Sequence, residues 1–285
     1  MDPSCFDLSI EDRIAHIVLN RPHKRNSMIP AFWDELPGIV RDIDSRAQAR
    51  VIVISSTGPH FSSGLDTSVF GSDAALTATE DSPSTLGRQR AARLIDTIKT
   101  MQAAFTCLED CRLPVLAAIQ GGAIGGAVDM ITACDLRYMT ADAFLSIHEI
   151  NIGMTADVGT FPRLVKLLPE GIVKELAFTG RRMTAEEARA MGLVNRVFPS
   201  QEEMLKGVME IAAEIAGKAP LAIYGSKRII NYSRDHGTAD ALDYIATWNA
   251  GMLQREEIQE AFAAGAEQRA PQFVDLPPLR GKISE

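Results

Sequence analysis

The 285-residue sequence predicts an α/β fold with a helical C-terminal third. Short apolar runs rich in β-branched residues, such as residues 51–55 and 114–119, alternate with longer segments of helical periodicity. This alternation is typical of βαβ crossovers around a largely parallel sheet. Beyond residue 159 only one further strand is predicted, and consecutive helices follow it. We therefore divide the chain into an α/β core, residues 1–199, and a helical region, residues 200–285.

The composition is that of a soluble globular protein, with 46% hydrophobic and 23% charged residues. The net charge of −8 argues against general nucleic-acid binding and against a polybasic membrane-binding patch. The N-terminus lacks a basic and then apolar signal segment, and no apolar run reaches transmembrane length. We therefore expect a cytoplasmic protein with no nucleic-acid partner and no membrane partner.

The cysteines and histidines do not form a metal-binding pattern. The four cysteines lack the paired spacing of a zinc finger, and the five histidines contain no HExxH pair. We predict no metal site, and we expect the cysteines to stay reduced in a reducing compartment.

The remaining elements are predicted from periodicity and from turn residues. Strands are predicted at residues 6–10, 14–19, 51–55, 114–119, 136–139, 144–147 and 194–198, and helices at 29–43, 87–107, 200–217, 220–234, 239–253 and 256–264. Thr184-x-x-Glu187 and Ser200-x-x-Glu203 are capping-box patterns, which mark helix starts. Residues 71–84 contain few large apolar side chains, so we expect a mobile loop beside the functional site. The proline-containing tail is predicted to be extended.

The glycine-rich stretch at residues 121–129 is the strongest functional signal in the chain. It follows the predicted strand at 114–119 and precedes an apolar segment, residues 128–132, that is predicted to begin a buried helix. A glycine-lined turn into a helix leaves backbone N–H groups unpaired, and these groups can bind developing negative charge. The turn at Gly64-Leu65 can present a second such donor. Two converging N–H groups suit a thioester oxygen that gains charge as an enolate.

Three acidic residues accompany this turn. Asp129 lies about one turn inside the predicted helix, and Glu149 and Asp157 follow at loop-like positions. Carboxylates near a thioester can move protons to and from the carbon atoms that the thioester acidifies. Partial burial would raise the pKa values of these carboxylates toward the working range. The sequence therefore predicts an oxyanion-binding turn surrounded by three carboxylates.

Some of these residues also have a structural interpretation. Asp129 is a suitable charge partner for a helix N-terminus, and Asp157 is a suitable cap for a helix that starts near Val158. We interpret Asp135, just before a strand, and His148, at a strand end, as structural.

Several short motifs occur in a characteristic order along the chain. They lie at residues 19–22, 61–66, 121–135, 149–153, 176–180 and 185–197. In this order and at these spacings they resemble the enoyl-CoA hydratase/isomerase (crotonase) superfamily over nearly the whole chain. The resemblance implies a crotonase-like (ClpP/crotonase) fold, in which stacked ββα units form a spiral core and residues 200–285 form a helical trimerisation region. It also implies an acyl-CoA substrate, no cofactor, and a homotrimer or a dimer of trimers.

Within that superfamily the pattern is most similar to the branch that isomerises 3,5-dienoyl-CoA to 2,4-dienoyl-CoA during fatty acid β-oxidation. Typical hydratases carry glutamates at the positions of Asp129 and Glu149, and a glycine at the position of Asp157. Simple 3-enoyl-CoA isomerases usually rely on the one glutamate that matches Glu149. The third carboxylate, Asp157, is therefore the residue that discriminates between these reactions.

The resemblance implies a role for each site residue. The oxyanion-hole N–H groups would come from Leu65 and Gly126. Glu149 would remove a proton from C2 and Asp157 would deliver one to C6, although these two roles could be exchanged. Asp129 would tune the ionisation of both. Residues implied near the bound CoA are Lys24, Arg25, Ser63, Gly64, Asp66 and Gly122.

Two other functions stay open at this level. An enoyl-CoA hydratase would use Asp129 and Glu149 to position a water molecule. A non-catalytic acyl-CoA-binding or RNA-binding protein with the same fold is the second alternative. The acidic net charge disfavours RNA, and a simple binding protein has no need for three acids in one pocket.

Overall fold

The computed structural model describes residues 3–66, 68 and 85–280. The strands of this part of the chain are β1 (Phe6–Glu11), β2 (Ile14–Leu19), β3 (Val51–Ser56), β4 (Val115–Ile119), β5 (Gly122–Ile124), β6 (Leu136–Thr140), β7 (Phe144–Ser146), β8 (Arg182–Thr184) and β9 (Arg196–Phe198). The helices are α1 (Pro30–Ser45), α2 (Thr85–Asp110), α3 (Gly126–Ala133), α4 (Thr160–Leu164), α5 (Glu170–Thr179), α6 (Ala185–Ala190), α7 (Gln201–Ala216), α8 (Pro220–Asp235), α9 (Thr238–Met252) and α10 (Arg255–Ala266). The loop predicted at residues 71–84 lies outside the described residues.

The main sheet has six strands in the order β1-β2-β3-β4-β6-β9. The two predicted N-terminal strands are confirmed as β1 and β2, and they pair antiparallel as a hairpin. All other neighbours in this sheet are parallel, and Ile52 of β3 pairs with Val115 of β4. The prediction of a largely parallel core is therefore confirmed.

Helices cover both faces of this sheet, because alternate residues of each strand point to opposite sides. Ile52 and Ile54 of β3 belong to the larger core cluster, which includes α1 and α2. Val51 and Val53 belong to a second cluster, formed mainly with α7 through residues such as Val208. Helix α7 thus packs on the α/β core, and the predicted division at residues 199 and 200 stays a prediction.

A second sheet of three strands, in the order β5-β7-β8, lies beside the functional turn. Strands β5 and β8 were not predicted, since three residues are too few to show an alternating pattern. A Cβ atom at Gly122 of β5 would lie 3.0 Å from the Phe144 ring of β7. The glycine stretch therefore contains a short strand first and the turn only afterwards, at Gly125.

Local contacts confirm several smaller predictions. The Thr184 and Ser200 hydroxyls each accept a 3.2 Å hydrogen bond from the N–H three residues later, as their capping boxes predict. Asp135 has the predicted structural role, since it pairs with Lys227 at 2.9 Å and accepts from the Val115 N–H at 2.8 Å. All four cysteines are free. Residues 271–280 of the tail have no regular secondary structure, and the Leu279 N–H donates to the Ser45 carbonyl at 2.7 Å. That the tail is extended stays a prediction.

No helix among the described residues is both long enough and apolar enough to cross a membrane.

Candidate active site

A cavity of about 370 Å³ is lined by residues from six separate parts of the chain. Its lining includes the five predicted oxyanion-hole and catalytic residues Leu65, Gly126, Asp129, Glu149 and Asp157. The structure therefore brings together two backbone turns and three acids that are separated by up to about ninety residues in sequence.

Two backbone turns carry the oxyanion-hole candidates Leu65 and Gly126. Gly125 has a φ of +55°, and α3 begins at Gly126 directly after it. A Cβ atom at Gly126 would lie 3.9 Å from the Leu65 nitrogen, so the two turns are in close contact. Neither the Leu65 N–H nor the Gly126 N–H donates to an acceptor among the described residues. Two neighbouring donors are therefore available to one oxygen atom of a ligand.

Gly64 keeps these donors accessible. Its φ of +79° is in the left-handed region, and a Cβ atom there would lie 2.6 Å from the Ile124 carbonyl oxygen and 3.1 Å from the Gly126 nitrogen. The Met28 N–H donates to the Gly64 carbonyl at 2.8 Å, and the Met28 carbonyl accepts from the Asp66 N–H at 3.0 Å. These two hydrogen bonds hold the turn in place. The N–H of Leu65, between Gly64 and Asp66, donates to neither partner.

The Glu149 carboxyl lies against the same turn. A Cβ atom at Gly125 would lie 2.9 Å from Glu149 Oε1, so only glycine leaves room for this carboxyl. Glu149 Oε2 is buried and has no hydrogen-bond partner among the described residues. Burial, with a smaller contribution from the charge of Asp157, raises the pKa of Glu149. A carboxyl with a raised pKa and one free oxygen is suited to accept a proton from a ligand.

Asp129 is the most buried of the three acids, with 1% of its surface exposed. It lies in the first turn of α3, and its Oδ1 accepts a hydrogen bond of 2.6 Å from the Thr160 N–H at the start of α4. Burial, followed by the charge of Glu149, raises the pKa of Asp129 to about 7. The Asp129 carboxyl therefore binds the start of α4 through Thr160, and its protonation depends on the charge of Glu149.

Asp157 lies at the exposed side of the cavity. Partial desolvation by the surrounding protein raises the pKa of its carboxyl. The alternative that it caps a helix near Val158 is wrong, since α4 begins at Thr160 after Gly159, which has no side-chain cap bond. The Thr160 N–H instead uses the Asp129 carboxyl. Asp157 is therefore not a helix cap, and it is one of the residues that line the cavity.

The residues predicted near CoA are distributed around this site. Ser63 lines the cavity, whereas the structure does not include Lys24, Arg25, Asp66 or Gly122 in the described lining. Lys24 ends a short 3₁₀ helix and Arg25 follows it with a φ of +52°. Asp66 accepts hydrogen bonds from Ser27 and Ser68, which lower its pKa to about 2. Gly122 is inside β5. Their contact with CoA stays a prediction.

The enoyl-CoA hydratase/isomerase family model matches residues 9–276, which is most of the chain. The chain belongs to the enoyl-CoA hydratase/isomerase family. It is an enzyme of that family with a crotonase fold.

Individual members of the enoyl-CoA hydratase/isomerase family agree with this assignment. The mitochondrial Δ(3,5)-Δ(2,4)-dienoyl-CoA isomerase of Rattus norvegicus is 44% identical over 272 residues, 95% of this chain and 82% of the relative. The enoyl-CoA hydratase structure from Bacillus anthracis has a TM-score of 0.82 and 27% identity, and covers 95% of this chain and 99% of that one. A Thermobifida fusca YX protein solved in complex with acetoacetyl-CoA has a TM-score of 0.77 and 28% identity, and covers 88% and 95% of the two chains.

In this member of the enoyl-CoA hydratase/isomerase family, an apolar wall completes the cavity. It contains Trp33, Leu94, Ile98 and Met101, none of which the sequence motifs indicated. The last three recur at spacings of four and three residues along α2 and therefore lie on one helix face. That spacing was readable as an amphipathic stripe, but nothing local indicated that the stripe lines a ligand cavity. The wall makes the cavity suitable for a ligand that has an apolar part.

Proposed function

We propose that this enzyme isomerises 3,5-dienoyl-CoA to 2,4-dienoyl-CoA in fatty acid β-oxidation. The observation that carries the proposal is the position of Asp157. This residue lines the same cavity as Glu149 and the turn at Gly126. A reaction that moves a proton between two distant carbon atoms needs two proton-transfer groups in one pocket. The 44% identity to the rat dienoyl-CoA isomerase supports the same reaction.

The first step is deprotonation at C2. The Leu65 and Gly126 N–H groups bind the thioester oxygen, which makes the C2 hydrogen acidic. Glu149 takes this proton, because its carboxyl lies against Gly125, directly beside the oxyanion turn. The electron pair of the broken C–H bond is delocalised onto the thioester oxygen, C4 and C6, and gives an extended dienolate whose oxygen the two N–H groups stabilise.

The second step is protonation at C6 by Asp157. The O–H bond of the protonated carboxyl breaks and a C6–H bond forms, while the double bonds move to C2=C3 and C4=C5. One proton leaves the substrate and one enters, so the substrate and product are isomers. For the next turnover Glu149 must lose the proton that it took from C2, and Asp157 must regain one. The exposed position of Asp157 allows exchange with solvent. Asp129, buried near both acids, keeps their ionisation coupled.

The substrate class follows from the cavity and from the relatives. The apolar wall suits an acyl chain, and a Thermobifida fusca member of the same fold was solved with acetoacetyl-CoA. We propose that Lys24 and Arg25 lie near the CoA phosphates, where a cationic side chain stabilises the ligand. We also propose that no cofactor takes part, because the reaction moves only protons and electron pairs within the substrate.

We further propose that the C-terminal helices form a homotrimer or a dimer of trimers. Helix α9 has no buried residue in the single chain. Leu242 of α9 is 62% exposed and Phe262 of α10 is 77% exposed. Large apolar side chains exposed on neighbouring helices are typical of protein–protein interfaces. A second copy of the chain would remove this surface from water.

The cellular compartment stays a prediction. We expected a cytoplasmic enzyme, whereas the name of the rat relative places that protein in mitochondria. Fractionation of the source cells, with detection of this chain in each fraction, distinguishes these compartments.

The test of the function is a spectrophotometric assay with 3,5-octadienoyl-CoA and, in parallel, with crotonyl-CoA. We expect a gain of the conjugated 2,4-diene absorbance with the first substrate and little hydration of the second. Strong hydration of crotonyl-CoA without any 2,4-diene would reject the isomerase and favour the hydratase. Binding of acyl-CoA without turnover of either substrate would favour the non-catalytic alternative.

A further inference from the structure

Helix α2 carries a polar stripe beside its apolar cavity stripe. The apolar stripe contains Ile98 and Met101, which line the cavity. The polar stripe contains Gln102, Thr106 and Glu109, again at spacings of four and three residues. Because the two stripes are adjacent on one helix, any group held by the polar stripe lies next to the cavity wall.

All three polar side chains bind the segment from Asp157 to Arg163. Gln102 Nε2 donates a hydrogen bond of 2.6 Å to the Asp157 backbone carbonyl. Thr106 Oγ1 accepts from Arg163 Nη2 at 3.1 Å, and Glu109 Oε2 accepts from Arg163 Nε at 2.7 Å. The segment that contains the proposed C6 acid is therefore attached to the same helix that forms the acyl wall.

The rest of this segment is held just as closely. Gly159 has a φ of +138°, and a Cβ atom there would lie 1.9 Å from Arg163 Nη1, so the guanidinium group fills the space above this glycine. The Thr160 N–H is bound by Asp129 at 2.6 Å. Gln102 provides the only side-chain contact to the Asp157 backbone itself among the described residues.

The two acids differ in how they are held. Glu149 is fixed by burial against Gly125. The Asp157 carboxyl has no side-chain hydrogen-bond partner among the described residues, so its position depends on its backbone. Gln102 restrains that backbone at the carbonyl of the same residue. Loss of the bond would therefore displace one acid and leave the other in place.

We propose that Gln102 is a positioning residue that holds Asp157 at the distance from Glu149 that a 1,5-proton shift requires. This inference rests on the proposed isomerase function. Gln102 does not touch the reacting atoms; it acts through Asp157. A displacement of about 1 Å at a reacting group can lower a rate by about 10²-fold. We therefore expect the C6 protonation to depend on Gln102, and the C2 deprotonation to be independent of it.

The test compares Gln102→Met with wild type in D₂O. Methionine preserves the volume of the side chain but cannot donate a hydrogen bond. Two rates are measured on 3,5-octadienoyl-CoA: formation of the 2,4-diene, and replacement of the C2 hydrogen by deuterium in the recovered substrate. We expect diene formation to fall by about 10- to 100-fold, with C2 exchange close to that of wild type.

The matched control is Gln201→Met. Gln201 Nε2 also donates to a backbone carbonyl, that of Ser56 at 3.2 Å, but this residue is not part of the described cavity lining. We expect both rates of this variant to stay close to those of wild type. A second variant, Gln102→Glu, retains the shape of the side chain and also lacks the donor, so it is used if Gln102→Met does not fold.

Three results would overturn the inference. Unchanged diene formation in the Gln102 variants, or an equal fall of diene formation and C2 exchange, would mean that Gln102 does not act on Asp157. In both cases wild type still forms the diene, and the proposed function stands. Absence of diene formation by wild type would reject the function, and the inference with it.

Discussion

The Asp129 carboxyl accepts a hydrogen bond of 2.6 Å from the Thr160 N–H, although these residues are 31 positions apart. Asp129 lies in α3, which begins at the proposed oxyanion donor Gly126, and Thr160 begins α4, which follows Asp157. One buried carboxyl thus joins the turn that would bind the thioester oxygen to the segment that carries the proposed C6 acid. Its pKa of about 7 makes this connection sensitive to pH.

Asp129→Asn should stabilise the protein at high pH. A carboxyl whose pKa rises from 3.8 to about 7 on folding favours the folded state below pH 3.8, and this advantage is lost as the pH rises through about 7. At about pH 8 the variant should gain up to about 4 kcal/mol of unfolding free energy over wild type, because asparagine stays neutral. The gain should shrink toward about pH 4. Urea unfolding at several pH values measures it, and a pH-independent difference contradicts the prediction.

Glu149→Gln should remove most of the activity without destabilising the fold. Loss of a general base lowers turnover by about 10²- to 10⁴-fold. Since Glu149 Oε2 is buried without a partner in the described residues, the neutral amide should not lower the melting temperature. The assays are 2,4-diene formation and thermal unfolding. The control is Glu187→Gln, which weakens an ion pair with Arg181 elsewhere and should retain turnover. An active Glu149→Gln variant would exclude this residue as the base.

Gly64→Ala should lower activity through the proposed oxyanion hole more than it lowers stability. The added Cβ would lie 2.6 Å from the Ile124 carbonyl and 3.1 Å from the Gly126 nitrogen. Loss of one oxyanion donor costs about 10²- to 10³-fold in kcat. Gly192→Ala is the matched control, because Gly192 has a similar φ of +81° and no atom within 4 Å of its Cβ position. Both variants have the strain of a positive φ, so equal activities would contradict the oxyanion assignment.

Asp157→Asn should separate the two proton transfers. Diene formation should fall by about 10²-fold or more, while C2 exchange into D₂O continues. The charge of Asp157 contributes to the raised pKa of Glu149, so its removal lowers that pKa. A base with a lower pKa is ionised at lower pH, and the acid limb of the C2 exchange profile should therefore move to lower pH. Unchanged diene formation would remove Asp157 from the mechanism, and a shift to higher pH would contradict the effect of its charge on Glu149.

Phe262→Glu should reduce the size of the assembly. Phe262 is 77% exposed in the single chain, so a charge there disturbs little within the chain but would be buried in a subunit interface. Light scattering coupled to size-exclusion chromatography measures the mass. Leu8→Glu, at a 43% exposed position of β1, is the control and should leave the mass unchanged. An unchanged mass for Phe262→Glu would place the interface elsewhere.

The sequence predicts the ends of an element well where local side chains determine those ends. The strand at β3 was predicted because β-branched residues recur over a full strand length, and α6 and α7 were predicted because Thr184 and Ser200 cap them directly. Strand β5 was missed, since only pairing with Phe144 and its neighbours makes Gly122–Ile124 a strand. Short segments without their own periodicity depend on their partners.

The sequence by itself determined the two glycine turns, because a residue with a φ of +79° or +55° must be glycine or accept strain. The order and spacing of the motifs also predicted that the three acids share one site, and all three line one cavity. Only the tertiary structure decided their environments. The pKa of Asp129 rises because distant segments bury it beside Glu149, and Asp157 lines the same cavity although it is 28 positions from Asp129 in the sequence. Such effects depend on distances in space, which no local pattern encodes.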